Sequence, residues 1–301
     1  MEYTTIASAD GKQAIDVAFA APEGDPKGLV QIVHGMCEHK ERYVPLMEFL
    51  AGNGYVAVCH DHRGHGASAR AAGTLGYMGK GGWLALVEDT RTVGQWMKQR
   101  WPGLRFTLFG HSMGSMVVRS FAKRYDSSID SLIVCGCPSD NPAKGAGAML
   151  SKLIGMTRGW HHPSKLLQAM SFGSYNKSFK DEGYAAAWVC SDKAVLEEYH
   201  HDPLCQYIFT ADGFHNLLLL MKDCYSLKGW SKAHPDLPVH FISGAEDPCR
   251  ISDKALQEAV GMMRKAGYNR VTLKLYPGMR HEIHNETGKA EVWNDLLSYL
   301  A

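Results

Sequence analysis

Ser112 stands between Gly110 and Gly114 in the stretch Gly-His-Ser-Met-Gly. The apolar run Arg-Phe-Thr-Leu-Phe precedes it, and a helix-like run, Met-Val-Val-Arg-Ser-Phe-Ala, follows. A hydroxyl that must attack an electrophile is well presented at a sharp turn from strand to helix. There its backbone is strained, and side chains two residues either way would collide. Glycines at 110 and 114 remove that collision. The turn lifts Ser112 Oγ above the sheet and leaves the Met113 amide at a helix N-terminus, where negative charge is favoured. With 31 glycines in the chain the five-residue pattern alone can arise by chance. The strand before it and the helix after it single out Ser112 as a nucleophile.

A serine needs a base to take its proton, and the base needs an acid to orient it. Both should follow Ser112 in the chain, the acid first and then a histidine, each on a loop after a later strand. The strand Leu-Pro-Val-His-Phe-Ile-Ser-Gly runs into Ala-Glu-Asp-Pro-Cys, which offers Glu246 and Asp247. Asp247, deeper in the loop and pinned by Pro248, is the first choice and Glu246 the reserve. The strand Arg-Val-Thr-Leu-Lys-Leu-Tyr leads to Met-Arg-His-Glu-Ile-His, which offers His281 and His284. His281 is preferred, because His284 is expected to begin the last helix. Position makes this choice, since the chain holds 15 histidines. An oxyanion formed on attack needs two donors. Met113 N–H is one. The other is expected from His-Gly-Met-Cys, where Gly35 lets the backbone turn the Met36 N–H inward, so that both methionines contribute main chain.

The elements that must position these groups form a regular pattern. Strands are expected at residues 3–7 and 14–19, joined by the turn Ser-Ala-Asp-Gly-Lys. From residue 28 strands alternate with helices. Continuous apolar strands cover 28–35, 54–60, 105–110, 129–136, 237–244 and 270–278. A helix runs through Val44, Met47 and Leu50, another from 83 to 99, and a last one buries Val292, Trp293, Leu296, Leu297 and Leu300. Strands apolar on both faces with helices between them predict a mostly parallel sheet in an α/β fold. From about 138 to 229 the alternation stops, and helical segments rich in Met, Leu, Phe, Tyr and Trp take over. The expected organisation is a core of 1–137 and 230–301 with a helical cap, 138–229, inserted above the carboxyl ends of the strands.

Composition narrows the function classes. Net charge is +1 with both signs interspersed, which argues against a nucleic-acid partner. The first residues carry no apolar run of signal-peptide length, and the greasiest stretch, Asn-Leu-Leu-Leu-Leu-Met, is too short to cross a bilayer. Eight cysteines lack ligand spacing or the density of a disulfide scaffold. Cys135 and Cys137 read as strand packing, and a reducing cytoplasm is the expected location. The paired histidines 161–162 and 200–201 read as surface or cap packing.

Several stretches together resemble the α/β-hydrolase superfamily, within it the monoacylglycerol lipase and lysophospholipase-like branch of serine aminopeptidase-type hydrolases. They are His-Gly-Met-Cys-Glu-His-Lys-Glu-Arg-Tyr, Asp-His-Arg-Gly-His-Gly-Ala-Ser, Gly-His-Ser-Met-Gly-Ser, Ser-Gly-Ala-Glu-Asp-Pro-Cys and Arg-His-Glu-Ile-His-Asn-Glu, collinear from Val30 to Glu286. The resemblance implies an α/β-hydrolase fold and ester hydrolysis by Ser112, Asp247 and His281, with the Met36 and Met113 amides as oxyanion hole. It implies no cofactor and no metal. It also explains Asp61 and Arg63, in the histidine-rich Cys-His-Asp-His-Arg-Gly-His, as turn-fixing groups in preference to metal ligands. Cys37 departs from the pattern where a glycine is expected, and Cys249 where an aliphatic residue is common. Both thiols should sit beside the site, as reactive groups or as inert buried ones.

The expected substrate is a lipid ester of monoacylglycerol or lysophospholipid type. Met149, Leu153, Ile154, Trp160, Leu166, Leu167, Phe172 and the run 214–220 supply either an acyl channel or the cap's own core. The cap is a candidate for transient contact with a membrane surface. Other readings on the same fold are an aminopeptidase, with Asp181, Glu182, Glu197 or Glu198 holding an amine, a small-ester hydrolase, an acyltransferase, or a non-enzymatic ligand receptor.

Overall fold

Strand residues with apolar side chains on both faces pair into one eight-stranded sheet in this computed structural model, which describes residues 1–300. The strands are β1 (Glu2–Ala7), β2 (Ala14–Ala20), β3 (Gly28–Val33), β4 (Tyr55–His60), β5 (Phe106–His111), β6 (Ser131–Cys135), β7 (Val239–Gly244) and β8 (Val271–Tyr276). Their spatial order is β1-β2-β4-β3-β5-β6-β7-β8. The β1–β2 hairpin is antiparallel and β2 meets β4 antiparallel; every pairing from β4 to β8 is parallel. Parallel neighbours need crossover helices, and these cover both faces.

The helices are α1 (Val44–Gly52), α2 (Gly66–Ala71), α3 (Gly82–Arg100), α4 (Met113–Tyr125), α5 (Lys144–Arg158), α6 (Lys165–Phe172), α7 (Lys193–His201), α8 (Ala211–Cys224), α9 (Asp253–Ala266) and α10 (Lys289–Leu300). Strand alternation sorts the core in two. Leu29 and Val33 of β3 join Val93, Val117, Phe121 and Val260 on one face. Val30 and Ile32 join Leu46, Met47, Leu50, Val292 and Leu296 on the other. Each such side chain contributes about 1.5–3 kcal/mol on burial.

The strands and crossover helices lie where the sequence pattern puts them, with two differences. Residues 66–71, to which the sequence pattern assigns no element, form the short α2; Gly, Ala and Ser there carry no apolar periodicity. His284 does not begin the last helix. α10 starts at Lys289, and His284 lies buried in the preceding loop with its ring stacked on Tyr43 at 4.9 Å.

Between β6 and β7 the chain forms α5 to α8 with 3-10 turns at Tyr175–Glu182 and Ala187–Val189. This segment is not uniform. Phe214, Leu217 and Leu220 of α8 belong to the main core beneath it, whereas Phe179, Ala187, Val189 and Leu196 form a small cluster of their own. Met149, Leu153 and Leu166 face solvent.

Candidate active site

β5 ends and α4 begins at Ser112, whose φ of 52° lies in the left-handed region that residues with a Cβ rarely adopt. A Cβ on Gly110 would lie 2.5 Å from Gly114 O, and one on Gly114 would lie 2.0 Å from Val33 O. The two glycines therefore let backbone meet backbone across the bend, and they draw the start of α4 against the end of β3. Gly35, in the turn after β3, is similarly close: a Cβ there would lie 2.9 Å from Ser112 Cβ.

Met113 is the first residue of α4, so its N–H has no acceptor within the helix. Met36 follows Gly35, and its N–H has no backbone acceptor among the described residues. Cys37 completes the turn with φ 54°, which gives a physical reason why glycine would be at home there. Met36, Ser112 and Met113 line one small pocket together.

Beyond β7, Asp247 is buried and its Oδ1 accepts the Cys249 N–H at 2.8 Å. Its Oδ2 lies 2.9 Å from Nδ1 of His281, which sits in the loop after β8. Burial opposes ionisation of Asp247, but the His281 ring and the Cys249 amide hold its carboxyl below the usual range. Glu246, the reserve acid, is exposed and turns outward. Nε2 of His281 has Cys249 Sγ 3.9 Å away and makes no hydrogen bond to Ser112 Oγ. Such contacts are often long without substrate. His281 and Ser112 line one cavity of about 480 Å³, with Trp188 packed at 5.0 Å against the imidazole.

Of the two thiols singled out in the sequence, Cys37 lines this cavity and Cys249 lines the small pocket next to His281; both are buried, and burial pushes their pKa values upward. Asp61 ties its loop to the segment after β3, accepting the Lys40 N–H at 2.8 Å and pairing with Lys40 Nζ at 2.7 Å. Arg63 reaches Asp89 at 2.6 Å. Two trios of possible metal ligands converge among the described residues: His39, Asp202 and Cys205, and the Asp247, Cys249 and His281 group itself. In the first, both ring nitrogens of His39 already face carboxylates, Glu41 and Asp202, at 2.6 Å.

Four cavity residues carry polar groups to which the sequence reading assigns no role. Glu38 and His111 are paired and buried. Gln168 Oε1 and Tyr207 Oη are buried without a partner. Glu38 and His111 lie in stretches that carry the family resemblance, without a role assigned to either, whereas Gln168 and Tyr207 lie outside them.

A strained serine above a mostly parallel sheet, with a carboxylate–imidazole pair on the loops after the last two strands, defines an α/β-hydrolase. A family model described as "Serine aminopeptidase, S33" matches residues 24–288, and the chain belongs to that family. A monoacylglycerol lipase of Mycolicibacterium smegmatis is 26% identical over 279 residues, covering 93% of this chain and 90% of the relative. The human monoglyceride lipase is 26% identical over 284 residues, covering 93% and 84%. A solved lipase in its open form has 26% identity and a TM-score of 0.87, covering 99% of this chain and 97% of that one. The chain is a carboxylic ester hydrolase.

Proposed function

We propose that the chain hydrolyses lipid esters of the monoacylglycerol or lysophospholipid type through an acyl-enzyme on Ser112. The observation that carries this reading is the buried Asp247–His281 hydrogen bond, 2.9 Å long, beside the cavity that Ser112 also lines. Ser112 Oγ attacks the ester carbonyl carbon while His281 Nε2 takes its proton. Asp247 keeps the remaining ring proton on Nδ1 and stabilises the imidazolium that forms. The Met36 and Met113 amides hold the tetrahedral oxyanion, each worth about 3 kcal/mol in the transition state. His281 returns its proton to the leaving alcohol, and water repeats the sequence on the acyl-serine. None of these steps calls for a metal or cofactor.

The surroundings of Ser112 support a lipid substrate. A narrow pocket of about 80 Å³ leads away from it between Met113, Met116, Leu217, Leu218 and Met221. These apolar walls suit the start of an acyl chain, with about 0.8 kcal/mol for each CH₂ buried. The wider cavity carries Lys165, Gln168 and Tyr207. The unpartnered Gln168 and Tyr207 oxygens suit the hydroxyl groups of an alcohol head group, since buried polar atoms left alone are costly. We assign 138–229 as the cap over this site. Its helices α5 and α6 expose Met149, Leu153, Met156, Leu166 and Met170, a surface suited to transient contact with the membrane that holds the substrate. No described helix is long and apolar enough to cross a membrane. All eight cysteines are unpaired, which fits a reducing cytoplasm.

The aminopeptidase reading has no comparable support. Glu182 is paired with Arg280 and Glu197 with Tyr184, and neither they nor Asp181 and Glu198 line the cavity. Hydrolysis rates across monoacylglycerols, lysophospholipids, short esters and aminoacyl amides test the proposal. Long-chain monoacyl substrates should be preferred; turnover confined to acetyl esters or to amides would refute it.

A further inference from the structure

Glu38 leaves the turn after β3, and its Oε1 accepts from Gly35 N–H, from Tyr43 Oη at 3.1 Å and from His111 Nδ1 at 2.9 Å. His111 immediately precedes Ser112, and its Nε2 lies 3.3 Å from the carbonyl oxygen of His281. One carboxylate and one imidazole thus join three loops: the one with the Met36 amide, the one with Ser112 and the one with His281. Both side chains are buried, at 2% and 1% exposure.

Hydrogen-bond chemistry dictates the charge state. The His281 carbonyl can only accept, so His111 Nε2 must carry a proton. Glu38 Oε1 accepts from two other donors, so it acts as a carboxylate and His111 Nδ1 must be protonated too. The ring is then an imidazolium in a buried ion pair. The groups facing it bear this out in sign: Glu38 from the turn after β3, Asp247 from the loop after β7, and Glu282 from the loop after β8 are acidic. His281 and His284 lie ring to ring with it at 4.6 and 4.8 Å. Arg42 approaches Glu38 on its far oxygen at 4.0 Å and pairs with Glu282. Burial opposes the charge on His111, but Glu38 outweighs it and holds the ring's pKa above the ordinary value.

We propose that Glu38 and His111 are positioning residues, a charged strut that sets the Met36 amide and the His281 ring relative to Ser112. The proposal rests on the serine-hydrolase reading above and adds to it a second, protonation-dependent requirement. A group whose pKa is raised by folding contributes below that pKa and loses its contribution as pH rises through it. Deprotonation of His111 puts a lone pair against either Glu38 or the His281 carbonyl, so turnover should fall on the alkaline side.

Glu38→Gln keeps the acceptor and the shape but removes the charge, and burial then leaves His111 neutral at pH 7. It should lower kcat about 10- to 100-fold with KM within about twofold, as a displaced reacting geometry does. Its alkaline limb of kcat should move to lower pH by about one unit or more. His111→Gln, which cannot span both partners, should lower kcat similarly and remove that limb. Thermal melts establish that each variant is folded. In the wild type, ring ¹⁵N shifts of His111 at pH 7 should report both nitrogens protonated, a readout that does not depend on either variant folding. A neutral ring, or folded variants whose kcat and pH profile superimpose on the wild type, overturns the strut; a kcat loss without movement of the limb reduces it to a structural pair. Phosphonylation of Ser112 in the wild type separates the two levels. If it fails, the hydrolase reading fails; if it succeeds while the variants behave as wild type, only the strut does.

Discussion

Alanine at position 114 would place a methyl carbon 2.0 Å from Val33 O and 2.6 Å from His34 O. Carbon–oxygen contacts relax to about 3.3 Å, so the first turn of α4 and the end of β3 must separate by roughly 1 Å. The obstacles are backbone atoms, and no side-chain rotation relieves them. Val33 leads through His34 and Gly35 to Met36, while Gly114 follows Met113. The separation therefore falls directly between the two proposed oxyanion donors. Overpacking of this kind costs about 1–3 kcal/mol of stability, and a displacement near 1 Å costs about 100-fold in rate. Gly114→Ala should accordingly lower kcat on a p-nitrophenyl ester by about 100-fold, with a smaller change in KM and a lower melting temperature. A variant that melts like the wild type and keeps kcat within about threefold of it would refute the reasoning, because close backbone approach would then not set the geometry of the hole.

Other perturbations test separate parts of the structure. Asp247→Asn should lower kcat by up to about 10⁴-fold on the same ester, as a mis-set imidazole tautomer does in comparable triads; near-normal turnover would return the acid role to Glu246. Gly261→Ala lies inside α9 with open space around the new methyl, so it should raise stability by about 0.5–1 kcal/mol in a thermal melt and leave kcat unchanged. Met156→Glu, on the exposed face of α5, should weaken co-sedimentation with phospholipid vesicles while hydrolysis of a soluble ester persists. Unchanged vesicle binding would remove the membrane-contact assignment.

What could be read from the chain divides along physical lines. The bend at Ser112 was legible because so tight a turn forbids Cβ atoms at 110 and 114, and that prohibition is written as glycine two residues either side. The sheet was legible because strands buried on both faces are apolar without interruption, as in β3 and β6. That Asp247 meets His281 while Glu246 faces solvent was legible from depth in the loop. The Glu38–His111 pair was not legible, since its partners are 73 residues apart and a buried pair leaves no periodic trace. His284 misled because a polar residue near an apolar helix resembles a helix start, whereas packing against Tyr43 buries it in the loop. Within residues 138–229, apolar character did not distinguish Phe172, Leu217 and Leu218, which line the pocket, from Met149, Leu153 and Leu166, which face solvent. Amphipathic pattern identifies a face, and only the fold says what covers it.

Labelling with a fluorophosphonate, followed by peptide mass spectrometry, addresses the catalytic constellation most directly. A single adduct is expected on Ser112, absent in Ser112→Ala and formed far more slowly in His281→Ala. An adduct on another residue, or an equal labelling rate without His281, would contradict the triad.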